Sequence, residues 1–225
     1  MIGWEIVMTK DKLLDIASDE FAKYGYDGVS MSKLALLVGI NKATIYHHFK
    51  SKKSLYEEVL IRMIDEHKER TNKILVLDVS PIEKLNMFIQ MTVKELVNDA
   101  NMVALTLREF ANFGSNIDDE FVPNIESSSE ALKSILKELN IKEKFRDIDV
   151  FTVESIIIGT TSIYFSMQHS SLNVKGLKAF KDSDELIEHL SDVISESISS
   201  IIERREDDKS SSNRGAISHF QWLSE

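Results

Sequence analysis

The sequence predicts an all-α protein, and three observations carry that prediction. Only two prolines and eight glycines punctuate 225 residues, too few for the many turns of a β architecture. Apolar residues recur at helical spacing, as in Leu13, Ala17 and Phe21 or Leu186, Leu190, Val193 and Ile194. Good N-capping residues, Ser30, Asn41 and Ser80, stand directly before such runs. The expected architecture is an N-terminal three-helix bundle with a helix-turn-helix, followed by a larger C-terminal helical domain.

Residues 1–7 precede a second methionine, Met8, and read as a short extension or as the product of an upstream start. The first helix is expected from about Thr9 to Tyr24, ending at Gly25. Ser30 caps a second helix that buries Met31, Leu34, Ala35 and Val38. Gly39 supplies the positive φ of a sharp turn. Asn41 then caps a third helix, Lys42 to about Phe49, with Ile45 and Phe49 inward. The small Ala35 lets the two helices approach closely. Two helices joined by a glycine-containing turn are what a DNA-reading helix-turn-helix requires.

Charge singles out the same stretch. From Gly28 through Tyr56 there is no Asp or Glu, while Lys33, Lys42, Lys50, Lys52 and Lys53 all fall within it. Residues 1–56 hold eight lysines against six acidic residues, a net of +2, so the rest of the chain carries −12 of the total −10. A basic island on an acidic protein is the electrostatic footprint of a face that meets phosphate, and an acidic body confines DNA to that face. On the outer side of the third helix, Lys42, Ala43 and Thr44 lie at the N-terminus, where short side chains reach base edges. Tyr46, His47 and Lys52 lie where the duplex backbone would pass.

These residues resemble the DNA-binding domain of the tetracycline-repressor (TetR/AcrR) family of transcriptional regulators. The resemblance covers about Lys10 to Leu60, in LLDIASDEFAKYGYDGVSM and KLALLVGINKATIYHHFKSKKSLYEEV. It includes the Gly25-Tyr26 helix end, the Val38-Gly39-Ile40 turn, the run Ala43 to Phe49, and the closing Lys52 and Leu55. It implies a DNA-binding set of Ser32, Asn41, Lys42, Ala43, Thr44, Tyr46, His47, Lys52 and Lys53. Two positions depart from the family pattern. Asn41 stands where Ser or Thr is usual, and Lys53 where an acidic residue is common, which predicts a steeper salt dependence of DNA binding.

Beyond the head, a fourth helix is expected from Ser54 to about Lys73, with Leu55, Val59, Met63 and Ile64 inward. Ser80 and Pro81 start a fifth helix running to about Val97, and a sixth spans Ala100 to Phe113. A loop over Gly114 to Asp119 precedes one helix through Leu139 with an irregular start at Pro123. Long helices follow from Asp147 to His169 and from Ser183 to Arg204, and the polar segment from Glu206 reads as a flexible tail. The domains are therefore expected at 1–54, 55–205 and 206–225.

Ile156, Gly159, Thr160, Ile163 and Met167 form a stripe with small residues at its centre. The last helix carries a broad apolar face including Leu190, Val193, Ile194, Ser197 and Ile201. The resemblance makes these two faces a homodimer interface. Phe88, Met91, Met102, Leu105, Arg108, Phe110, Phe113, Phe121, Phe151 and Tyr164 are equally readable as plain core or as the lining of a small-molecule pocket. The resemblance favours the pocket.

Other classes are disfavoured. The sequence has no glycine-rich phosphate loop, HExxH, GxSxG or cysteine, so no catalytic residue, metal site or cofactor is expected. The absence of cysteine suits a cytoplasmic setting. The most apolar segment, Val150 to Met167, is broken by Glu154 and by hydroxyl residues, which argues against a membrane span. The expected protein is a dimeric regulator, most naturally a repressor, that binds a palindromic double-stranded operator and answers to a hydrophobic effector. The alternative keeps the DNA-binding head and makes the body a dock for a protein partner.

Overall fold

The computed structural model describes residues 2–139, 150–171 and 174–203, with side chains described from residue 10 to residue 200 within those spans. The expected tail, 206–225, lies outside the described residues, as do Asp147 to Asp149. Ile201 lies in a helix but beyond the last described side chain. Among the described residues the chain is all-helical. The head is α1 (Ile2–Gly28), α2 (Met31–Val38) and α3 (Lys42–His48). The body follows with α4 (Lys52–Leu75), α5 (Pro81–Asn98) and α6 (Ala100–Ala111). A 3-10 turn (Asp119–Phe121) leads into α7 (Val122–Ser128), α8 (Glu130–Glu138), α9 (Val150–Gln168) and α10 (Ser183–Glu203).

Local chemistry explains most boundaries. Gly39 is left-handed (φ 81°), and its N–H together with that of Ile40 returns to the carbonyls of Leu36 and Ala35, closing α2. Asn41 accepts the Ala43 N–H at 2.9 Å and starts α3. Ser80 and Glu83 form a reciprocal capping box ahead of Pro81.

Four expectations need correction. α1 begins at Ile2, so residues 2–8 continue the first helix. Ser30 precedes α2 with extended backbone, but its side chain makes no capping hydrogen bond. α4 starts at Lys52 because Ser51, not Ser54, is its N-cap; the two serines exchange hydrogen bonds in a capping box. The single helix expected through Leu139 is divided at Ser129, whose buried hydroxyl donates instead to Glu154 at 2.8 Å.

Two apolar cores result. The body core is built around α5, whose Leu85, Phe88, Ile89 and Val93 are buried against α8, α9 and α10. The head core joins Leu13, Ala17 and Phe21 to Leu34, Ile45 and Phe49, and then runs on into Leu55, Tyr56 and Val59 of α4. It also takes in Leu105 of α6 and Phe121, so it continues past the boundary expected after residue 54. Ion pairs Lys10–Glu58 (2.6 Å) and Arg62–Asp15 (2.8 Å) fasten α4 along α1.

α1 is interrupted at Gly25, with φ 72° and ψ 170°, a conformation essentially confined to glycine. There Arg108 of α6 donates to the carbonyls of Ala22 and Lys23, each at 3.2 Å, and so satisfies the end of α1. A Cβ on Gly25 would sit 3.1 Å from the Arg108 guanidinium. Gly25→Ala is expected to cost about 1–3 kcal/mol through backbone strain. Urea denaturation measures it; a loss below about 0.5 kcal/mol would show that the junction relaxes freely.

Candidate nucleic-acid interface and ligand cavity

α3 is held by Ile45, fully buried, and by Phe49 at its C-cap, so its opposite face is presented outward. Lys42, Ala43, Tyr46 and His47 are exposed and Thr44 is half-buried. Lys42 lies 5.8 Å from the centroid of the Tyr46 ring. Asn41 and Ser32, in the first turn of α2, are exposed beside them. The outward residues of α3 and its cap Asn41 are thus open to solvent, and the sequence has no acidic residue from position 28 to 56 to oppose a phosphate.

The two lysines at the start of α4 are differently engaged. Lys52 reaches the Asp27 carbonyl at 3.4 Å and lies over the Tyr26 ring, which ties α4 to the end of α1. Lys53, expected at the DNA, is ion-paired with Asp118 on the loop before the 3-10 turn. Glu57 accepts the Asp118 N–H at 3.0 Å. In this geometry Lys53 joins head to body, and its charge is partly spent before any duplex arrives.

The body contains a cavity of about 340 Å³. α4 contributes Leu60, Met63, Ile64 and His67, and α5 contributes Thr92 and Leu96. Ile117, Phe121 and Ile125 close one side; Glu154, Ser155 and Ile158 of α9 close another. Of the expected lining, Met102, Leu105, Phe110, Phe121 and Phe151 are present. The other five point elsewhere. Phe88 packs in the body core, edge-on behind the His67 ring. Met91 lines a separate surface groove, and Arg108 is turned to α1. Phe113 is 96% exposed at a left-handed turn, and Tyr164 packs on Phe180 and His189.

The cavity is apolar with a few fixed polar groups. Glu109 accepts from Tyr56 Oη at 2.5 Å and from Asn116 Nδ2 at 3.1 Å, both on Oε1. Burial, reinforced by that bond to the carboxylate, pushes the Tyr56 hydroxyl far above its ordinary value. His67 Nδ1 lies 2.7 Å from Glu95, which also receives Arg70 at 2.8 Å. Glu154 is pushed up by burial, an effect opposed by the Ser129 hydrogen bond and by His67. Sequence reasoning missed His67 and Glu154 as lining groups; a lone Glu inside the most apolar segment was the available signal for the second.

On the outer side, Thr160, Ile163, Val193 and Ser197 are exposed, and Ile156, Gly159 and Met167 half-buried. Leu190 and Ile194 of the expected interface face inward instead, each 2% exposed against the body core. The broad apolar face of α10 is thus divided between α5 and the outside.

Residues 13–59 match the family model for "Bacterial regulatory proteins, tetR family". A Staphylococcus aureus protein, the HTH-type negative transcriptional regulator IcaR of a biofilm operon, is 49% identical over 49 residues, 22% of this chain and 26% of that one. The HTH-type transcriptional repressor KstR2 of Mycolicibacterium smegmatis is 40% identical over 76 residues, 34% of this chain and 37% of that one. The chain therefore matches only 26% and 37% of these relatives' length. Across the whole fold, the FadR regulator of Bacillus subtilis in complex with stearoyl-CoA superposes with a TM-score of 0.63. That likeness covers 85% of this chain and 97% of the other at 22% identity, which establishes a shared fold.

Two measurements follow from this geometry. Lys42→Ala is expected to reduce the slope of log K against log salt by about 1, while Lys53→Ala leaves it nearly unchanged because Asp118 already holds that ammonium. A drop of about 1 for both would return Lys53 to the interface. Glu154 binds its proton more tightly folded than unfolded. Its contribution to stability is therefore full below the ordinary carboxylate value of 4.5 and is lost as pH rises through the elevated folded value. Glu154→Gln should thus gain on wild type in thermal stability from acid to neutral pH; a difference flat across that range would deny the burial effect.

Proposed function

We propose, for a chain that belongs through its head to the tetR family of bacterial regulatory proteins, that it is a cytoplasmic transcriptional repressor released from its operator by a small apolar ligand. The chain binds DNA through its helix-turn-helix. Two copies would place their α3 helices in successive major grooves about 34–36 Å apart, on a palindrome. Lys42, Ala43 and Thr44 are assigned to base edges, and Tyr46, His47 and Lys52 to the phosphate backbone. The observation that carries the reading is a basic, acid-free α3 face joined through one continuous core to a walled cavity. A cavity of this kind favours a chemical sensor over a body that only docks proteins.

The second copy is supported by α9. It is long and apolar enough to cross a membrane, with a mean hydropathy of 1.3, yet only 22% of its apolar window is buried by its own chain. Its inner side carries Val153 and Ile157 into the body core, and Glu154 bonds to Ser129, as in a core helix with one uncovered face. Ile163 (56% exposed) and Val193 (45%) are the apolar groups that a second copy would cover. Repression is supported by the relatives, one a negative regulator and the other a repressor. A ligand-responsive body is supported by the FadR likeness, whose structure holds stearoyl-CoA.

Selection of bound duplexes from a random library, with protein unfolded and refolded to strip any ligand, tests the proposal. Enrichment of one palindrome is the expected outcome. Binding that stays salt-sensitive and sequence-blind would reduce the head to a nonspecific anchor and end the operator reading.

A further inference from the structure

Resting on the reading of the body as a ligand sensor, we infer that the cavity selects an apolar molecule carrying an amine head and disfavours the matching carboxylate. The wall supplies the reason. Glu109 and Glu154 both line it, and none of the described lining residues is Lys or Arg. His67, the one basic side chain in the wall, is turned to Glu95. Arg108, next to Glu109 in sequence, spends its guanidinium on the end of α1. An anion entering this cavity would be buried beside two acidic groups without a countercharge, which is strongly unfavourable.

Glu109 is already prepared for a donor. Tyr56 and Asn116 both bond to Oε1, which fixes the plane of the carboxylate. Its Oε2 is buried and has no hydrogen-bond partner among the described residues. A buried acceptor left unpaired is an unusual state for a folded protein; this oxygen exposes almost no surface to the cavity, so the wall must yield slightly for an ammonium to satisfy it with a charge-assisted hydrogen bond. Glu154 offers a second acidic wall, held by Ser129 and raised by burial. The apolar remainder, Leu60, Met63, Leu96, Phe121 and Ile158, would take the hydrocarbon part. At about 340 Å³ the cavity sits at the small end of the roughly 300–1,000 Å³ typical of ligand sites, so the molecule is compact.

Calorimetric titration with octylamine, octanol and octanoate tests the inference, because the three share a chain and differ in the head. Octylamine is expected to bind at least about tenfold more tightly than octanoate. Glu109→Gln, which keeps an acceptor for Tyr56, should bring that ratio to within about twofold while leaving octanol binding intact. Should Glu109→Gln fail to fold, Glu154→Gln serves as the second variant, with a reduced amine preference expected. Octanoate binding as tightly as octylamine to the wild type would overturn the inference and leave the sensor reading standing. Survival of the full amine preference in both variants would also overturn it. If none of the three probes bound, the sensor reading and the inference would fall together.

Discussion

A hydrogen bond of 2.5 Å joins the two functional halves of this protein, running from Tyr56 to Glu109. The Tyr56 ring is 1% exposed and belongs to the head core, edge-on to Phe21 at 4.8 Å and to Tyr26 at 5.2 Å. Its hydroxyl crosses to the wall of the body cavity. A half-buried carboxylate gains from such a donor, and a buried phenol needs such an acceptor, so each fixes the other. The aromatic cluster that sets the packing of α1 against α4 is therefore positioned partly by a group that faces the cavity.

Other contacts between α6, its following loop and the head reinforce this joint. Arg108 closes the end of α1 from one side, and Asn101 reaches Asp19 at 2.6 Å from another. Asp118 holds Lys53 and receives the side chain of Glu57 at its N–H, while its neighbour Ile117 lines the cavity. These bonds place the loop over 112–121 between cavity and head. A displacement of Ile117 or Phe121 by a ligand would be carried to the first turn of α4, adjacent to α3. The coupling needs no long chain of intermediates, because the cavity and the head core share Leu60, Leu105 and Phe121.

The head was legible in the sequence because its signals are local. Gly39, Asn41 and the spacing of Leu34, Ala35 and Ile45 each act within one or two turns, and each was found as expected. The cavity was half legible. Phe88 and Phe121 look alike as aromatic residues in a helical protein, yet one fills the body core and the other, though buried in the head core, also lines the cavity. That difference depends on how five helices and a loop converge, which no single period records. Leu190 and Ile194 failed for a related reason. A helix apolar over a wide arc meets two neighbours, and periodicity reports the arc without saying which side belongs to α5. The ion pair of Lys53 was not legible because its partner Asp118 lies 65 residues away, in a loop with no pattern of its own.

Under the proposed function, the same geometry would constrain how a ligand releases the protein from DNA. A ligand shifts the protein between states only by its difference in affinity for them, however tightly it binds either one. Glu109 supplies a physical origin for such a difference. Any change in the angle of α4 against α6 moves Tyr56 relative to Glu109, and with it the direction of the unpaired Oε2. A head group that reached that oxygen would then favour whichever arrangement keeps the carboxylate plane and the apolar wall in register. By linkage the effect would be reciprocal: an operator that held α3 and α4 in one arrangement would weaken or strengthen the cavity for the ligand by the same factor.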